Sequence, residues 1–177
     1  MKSWIKSGLL GGMLALAAFG AKADESTNRV AVKTDWNVFA EPPEAPTECW
    51  GVAVPKETVN TDENGRIKSV RRGDILLFVT FRPKNGVDGV ISFTGGYPFD
   101  KGSFVTMEIG EDKFELATDG EWAWPAKEDD AKILTAMKGG ANAVLTARST
   151  RGTITKDTFS LYGFTAAVES AAKYCNG

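Results

Sequence analysis

Ile75-Leu76-Leu77-Phe78-Val79-Thr80-Phe81 is the most apolar run of the chain outside its N-terminal leader. It is rich in branched and aromatic residues, Gly73 and Pro83 bound it, and it is too short to cross a membrane as a helix. This predicts a strand buried on both faces, or nearly so, and central to the fold. Arg72-Gly73-Asp74 stands immediately before it. Integrins read that tripeptide when it is displayed at the tip of an exposed loop. Beside a buried strand, Asp74 reads instead as a bend residue.

Short strands separated by turn signals flank this run. On its N-terminal side, Trp36-Asn37-Val38-Phe39 alternates as a first strand, and Pro42-Pro43-Glu44-Ala45-Pro46 predicts an extended connection. Residues 48–54 alternate again, and Pro55 ends them. Asn60-Thr61-Asp62-Glu63-Asn64-Gly65 is a turn cluster that lacks the later ligands of a calcium loop. Residues 66–72 then read as a polar strand feeding the apolar run. On the C-terminal side come a strand at 90–93 and a glycine-aromatic bend at 94–99. A meander follows at 104–109, 113–117 and 121–124, turning at Gly110-Glu111-Asp112 and at Asp119-Gly120. Strands at 143–148 and 153–161 complete the set.

Two helices are expected. One covers about 125–139, with Pro125 at its first position, Glu128, Asp129 and Asp130 in its first turn, and Gly139 at its end. The second covers 164–175, because Phe164, Ala167, Val168, Ala171, Ala172 and Cys175 recur on one helical face. Strands and helices do not alternate, so a doubly wound sheet is disfavoured. The expectation is a mainly β chain: a single antiparallel β-sandwich or flattened barrel with two short peripheral helices, at about 125–139 and 164–175.

Residues 1–23 have the features of a cleaved export signal. Lys2 and Lys6 precede an uncharged apolar stretch, and Ala21-Lys22-Ala23 supplies the small-x-small site, so cleavage is expected after Ala23. Residues 24–47 are expected to form an extended N-terminal segment with one short strand, and 48–177 the β-rich domain. Loss of Lys2, Lys6 and Lys22 would take the formal charge from −2 to about −5. An acidic chain without a basic tail is a poor nucleic-acid binder. No membrane span is expected after cleavage, and a monomer is favoured. The expected location is the periplasm or the outer surface, with an envelope or surface partner.

Cys49 and Cys175 are the two cysteines of the chain. An even count in an exported protein predicts a disulfide, with two buried thiols as the alternative. The bridge would tie the last helix to the Cys49 strand and close a loop worth on the order of 5 kcal/mol in the chain-entropy treatment.

Histidine is absent, which removes His-dependent nucleophile systems and His-ligated metal sites. No cofactor is implied. Ser170-Ala171-Ala172-Lys173 has the S-x-x-K spacing of penicillin-recognising enzymes but none of their later motifs. Glu108, Glu115, Asp119 and Glu121 lie on neighbouring strands, and a glycosidase would need two of them facing each other in a cleft. Charged outer faces of the meander account for them otherwise. Trp122 and Trp124 share one strand face; core or edge packing is the ordinary fate of such a pair, and a surface for sugar rings the sharper one. Arg66, Lys68 and Arg72 are placed by the period of two on one face of a basic strand, either solvated or facing an anionic surface.

Several segments, taken in order, resemble the invasion-associated locus B family. They are Asp35-Trp36-Asn37-Val38, Cys49-Trp50, Val70-Arg71-Arg72-Gly73-Asp74, the 93–99 bend, the 119–125 hairpin, and 157–164 followed by the terminal cysteine. The resemblance implies a small β-rich periplasmic or surface-associated protein of Gram-negative bacteria, in a family linked to entry into host cells. It brings no active site with it. The function expected is that of a non-enzymatic envelope or surface protein. The alternative is an envelope polysaccharide hydrolase or carbohydrate-binding module using the strand carboxylates and Trp122/Trp124.

Overall fold

The apolar run forms β5 (Leu76–Arg82), and its two faces differ. Leu77, Val79 and Phe81 are at most 4% exposed, whereas Leu76, Phe78 and Thr80 are only half-buried. The strand is therefore buried on one face and partly covered on the other, not sealed on both. Its neighbours are β3 (Glu48–Ala53) and β6 (Val87–Thr94), paired antiparallel with Val79 opposite Gly51 and Ile91.

The computed structural model describes residues 28–176; the predicted leader and its cleavage site lie outside them. The remaining strands are β1 (Arg29–Lys33), β2 (Trp36–Glu41), β4 (Glu57–Thr61), β7 (Phe104–Ile109), β8 (Asp112–Asp119), β9 (Trp122–Pro125), β10 (Asn142–Arg148) and β11 (Ile154–Ser160). All eleven join one antiparallel sheet in the order β1-β2-β3-β5-β6-β9-β8-β7-β10-β11-β4. The helices are α1 (Asp130–Gly139) and α2 (Phe164–Asn176). The mainly β, antiparallel architecture with two helices is the one expected from the sequence, resolved as a single curled sheet rather than a closed barrel.

Curling brings remote parts of the sheet together. The indole of the buried Trp36, on β2, donates to the Ser160 carbonyl at the end of β11 (3.0 Å). At the sheet's edge, the Lys56 amide, just before β4, extends the ladder to the neighbouring β11 by donating to the Thr158 carbonyl (2.7 Å). Inside the curl, Val38, Leu77, Ile91, Phe93, Met107, Leu116, Leu145 and Phe159 form one core. Trp36, Val38 and Ala40 belong to it, so residues 29–41 are two full strands of the sheet rather than an extension. The proline-rich 42–47 segment is the loop of the β2–β3 hairpin, with Glu41 opposite Glu48.

α2 lies across β2, β3 and β5. Phe164 meets Trp36 edge-on, with ring centroids 4.9 Å apart. Gly51 lets the helix approach: a Cβ there would stand 3.0 Å from Val79 and 3.6 Å from Ala167. The Cys49–Cys175 disulfide is formed, with Cα atoms 5.8 Å apart, and pins the last turn of α2 to β3.

Two further sequence expectations are corrected. The first helix begins at Asp130, not at Pro125, because Pro125 is the last residue of β9 and pairs with Leu116. The chain turns at 126–129 before the helix starts, with the Asp129 amide donating to the Ala126 carbonyl. Residues 66–72 are not a strand. Asp62 accepts from the backbone amides of Asn64 and Arg66 and from the Arg66 guanidinium, which closes a tight turn. Beyond it, residues 66–75 make one β bridge among the described residues, Ile67 with Thr61.

Candidate functional site

The predicted basic face does not exist as a face. Arg66 points into solvent and pairs with Asp62 at 2.8 Å. Lys68 donates to the Thr153 hydroxyl at 3.2 Å. Arg72 turns inward, with a side chain only 6% exposed. Its guanidinium forks onto Asp157, itself fully buried, at 2.8 and 2.6 Å. Nε donates to the Gly95 carbonyl at 2.9 Å, and the guanidinium stands 5.0 Å from the centre of the Tyr97 ring. A buried charge is tolerated when it is paired and its donors are used, and both conditions are met here. Burial pushes the Asp157 carboxyl up, against the opposing pull of Arg72. Burial also pushes the Tyr97 phenol up to about 12, and its hydroxyl lies 2.5 Å from that of Thr155.

Arg72 is thus a structural plug at one end of the curl, and the integrin reading of Arg72-Gly73-Asp74 fails because the arginine cannot be presented. Gly73 is held by its amide donating to the Gly96 carbonyl at 2.8 Å.

Trp122 and Trp124 behave differently. Both project outward from β9, 39% and 38% exposed, with centroids 6.2 Å apart and planes 22° from parallel. They are neither core residues nor isolated. Trp122 reaches Phe78 on β5 (5.7 Å) across β6, whose outward residue there, opposite Phe78, is the small Ser92. Farther along, Phe39 on β2 stacks on Trp50 of β3, 5.4 Å apart and 9° from parallel. Trp50, Phe78, Thr80, Ser92 and Trp122 line a shallow groove of about 240 Å³, with Glu41 and Glu48 at one end. Arg82 holds Glu48 at 3.6 Å. The aromatic stripe runs over β2, β3, β5, β6 and β9. Residues 39, 50 and 78 each have the opposite parity to a buried strand neighbour, a signal that the period of two does contain.

Glu108 and Glu115 lie on the outward side of β7 and β8, opposite Lys113 and Thr106, and Asp119 lies opposite Trp122. Glu121 is in the β8–β9 turn. No two of these four face each other across a cleft. A wide, open concavity between α1 and the β7–β8 hairpin gathers Glu108, Glu111 and Asp112 with Lys132. Among the described residues no three His, Cys, Asp or Glu side chains could share a metal ion. Ser170 and Lys173 line a surface hollow on α2 with Lys33 and Tyr174.

One curled antiparallel sheet, closed at one end by a buried ion pair and stapled to its last helix by a disulfide, defines a small β-domain with an outward aromatic stripe. The chain belongs to the invasion associated locus B (IalB) protein family, whose model matches residues 36–172. Among solved structures it is similar to invasion associated protein B from Bartonella henselae. That likeness has 13% identity and a TM-score of 0.54, and covers 83% of this chain and 98% of the other. At that identity the shared feature is the fold. Comparison with curated proteins gave no match.

Proposed function

We propose that this protein is an exported, non-catalytic component of the cell envelope or cell surface that binds saccharide chains through the outer aromatic stripe of its sheet. The stacked, half-exposed Trp122–Trp124 pair carries this reading. Flat aromatic faces suit the apolar faces of sugar rings, and the Glu41 and Glu48 carboxylates at the groove's end can accept from sugar hydroxyls. An exposed aromatic patch of this continuity marks an interaction surface more often than chance packing. The disulfide suits an oxidising compartment outside the cytoplasm. Family membership, and the name of the Bartonella protein of similar fold, connect the chain to host-cell invasion, where a surface glycan contact would be of use.

The test is co-sedimentation of the mature protein with insoluble envelope and host glycans. Trp122→Ala/Trp124→Ala should weaken retention roughly tenfold or more, as removal of central aromatic anchors does. Retention unchanged in that variant would exclude the stripe as the binding surface. Release of new reducing ends, abolished by Glu121→Gln, would show a hydrolase instead.

A further inference from the structure

A second site lies on the other side of the β8–β9 turn. The segment before β5, the Tyr97-Pro98 bend and the β10–β11 turn enclose a pocket of about 370 Å³, within the usual range for small-ligand sites. Its charge is uneven. Arg71, Arg72 and Arg151 line it against one carboxylate, Glu121. Arg72 is neutralised beneath the floor by Asp157. Arg71 and Arg151 are exposed, and among the described residues neither forms an ion pair. Lys68 lies beside the pocket, where it donates to the hydroxyl of the lining residue Thr153 and its charge also acts on Asp62. Two unpaired arginines thus line one pocket of a chain whose formal charge is −2.

The rest of the lining is polar and hydroxylic. Ser149, Thr153 and Thr155 are buried, and the Ser149 hydroxyl accepts from the Arg151 and Thr153 amides, which fixes the turn that carries Arg151. Tyr97 and Pro98 supply an apolar wall. The Arg72–Asp157 pair makes the floor rigid while leaving Arg71, the adjacent residue, outside. Guanidinium forks match the paired oxygens of carboxylates and phosphates, and clustered hydroxyls match a polyol.

We infer that this pocket binds an acidic saccharide unit, with its carboxylate or phosphate met by Arg71 and Arg151 and its hydroxyls by the threonine-lined wall. The inference is independent of the aromatic stripe, since it uses other residues and a soluble, charged ligand. Uronic acids and phosphorylated sugars share the required chemistry.

The experiment is an amide-resonance titration of the mature, disulfide-bonded protein with glucuronate, glucose 6-phosphate, glucose and inorganic phosphate, at low and near-physiological salt. Glucuronate or glucose 6-phosphate should shift residues 149–155 and 95–98, more weakly as salt rises, and the stronger of the two identifies the source of the anion. Arg71→Ala/Arg151→Ala should lower that affinity about tenfold or more. Both side chains are exposed and unpaired, so the variant should keep its fold, as near-ultraviolet circular dichroism would verify. Glucose binding as tightly as glucuronate, inorganic phosphate as tightly as glucose 6-phosphate, or an unchanged double variant would each overturn the inference. So would the absence of shifts with either acidic sugar.

Discussion

Replacing Arg72 with methionine is the most direct test of the plug. The substitution keeps most of the side-chain length but removes the charge partner of a fully buried carboxylate. Two short hydrogen bonds to Asp157 and one to the Gly95 carbonyl disappear together. Breaking one partner of a buried pair costs about 3–5 kcal/mol, because the other charge stays behind unsolvated. Asp157, already pushed up by burial, would lose the one interaction that opposes that shift. Its folded-state value would then stand further above the unfolded one of about 3.9. The unfolded chain releases the proton first, so the variant should lose stability as pH rises above about 4. Urea unfolding at pH 4 and pH 7 should therefore show the loss growing with pH. Arg72→Met/Asp157→Leu, which empties the site of charge, should recover most of it, since apolar replacement of a buried pair is often neutral. A loss under about 1 kcal/mol at pH 7, or a double variant worse than the single, would refute the assignment of Arg72 as a plug.

Other perturbations probe the frame. Gly96 has φ +70°, and a Cβ there would lie 2.6 Å from the Gly73 carbonyl carbon and oxygen. Gly96→Ala should cost about 2–4 kcal/mol, whereas Gly102→Ala, at φ +71° in open space, should cost only about 1–2; equal urea midpoints for the two would contradict this. Removing the disulfide as Cys49→Ala/Cys175→Ala should lower stability by up to about 5 kcal/mol, or about 10–20 °C in Tm, and a shift within a few degrees would show that the bridge adds little. Conversely, unreduced mature protein should not react with a thiol probe. The Tyr97 phenol, raised from 10.0 to about 12, leaves stability intact below pH 10 and takes it away between pH 10 and about 12, where the unfolded chain is already ionised. An absorbance titration should show a late phenolate phase that Tyr97→Phe abolishes.

Much of the strand layout could be read locally. The period of two placed Trp36 and Val38 together, and Trp122 with Trp124, and the helical period put Phe164, Ala167, Val168 and Ala171 on one buried face. Misreadings arose where a side chain's partner is distant. Residues 66–72 carry a strand-like pattern, yet Arg72 answers to Asp157, 85 positions away. Asn60 and Thr61 open a turn cluster in the sequence, yet Glu57–Thr61 is a strand because β11 offers it an edge. Pro125 suits a helix start, but β8 claims it first.

The sequence by itself determined the class of the fold and the lack of histidine chemistry, and it made Cys49–Cys175 the expected bridge. Those follow from composition, from two short-range periods and from there being only one disulfide to make. Tertiary structure alone decided which face of β5 is sealed, which arginine is buried and which are left free around a pocket. It also decided that aromatics from four strands would form one surface. Register and curl bring together residues whose separation along the chain carries no local signal, and only the assembled sheet fixes which side of each strand meets water.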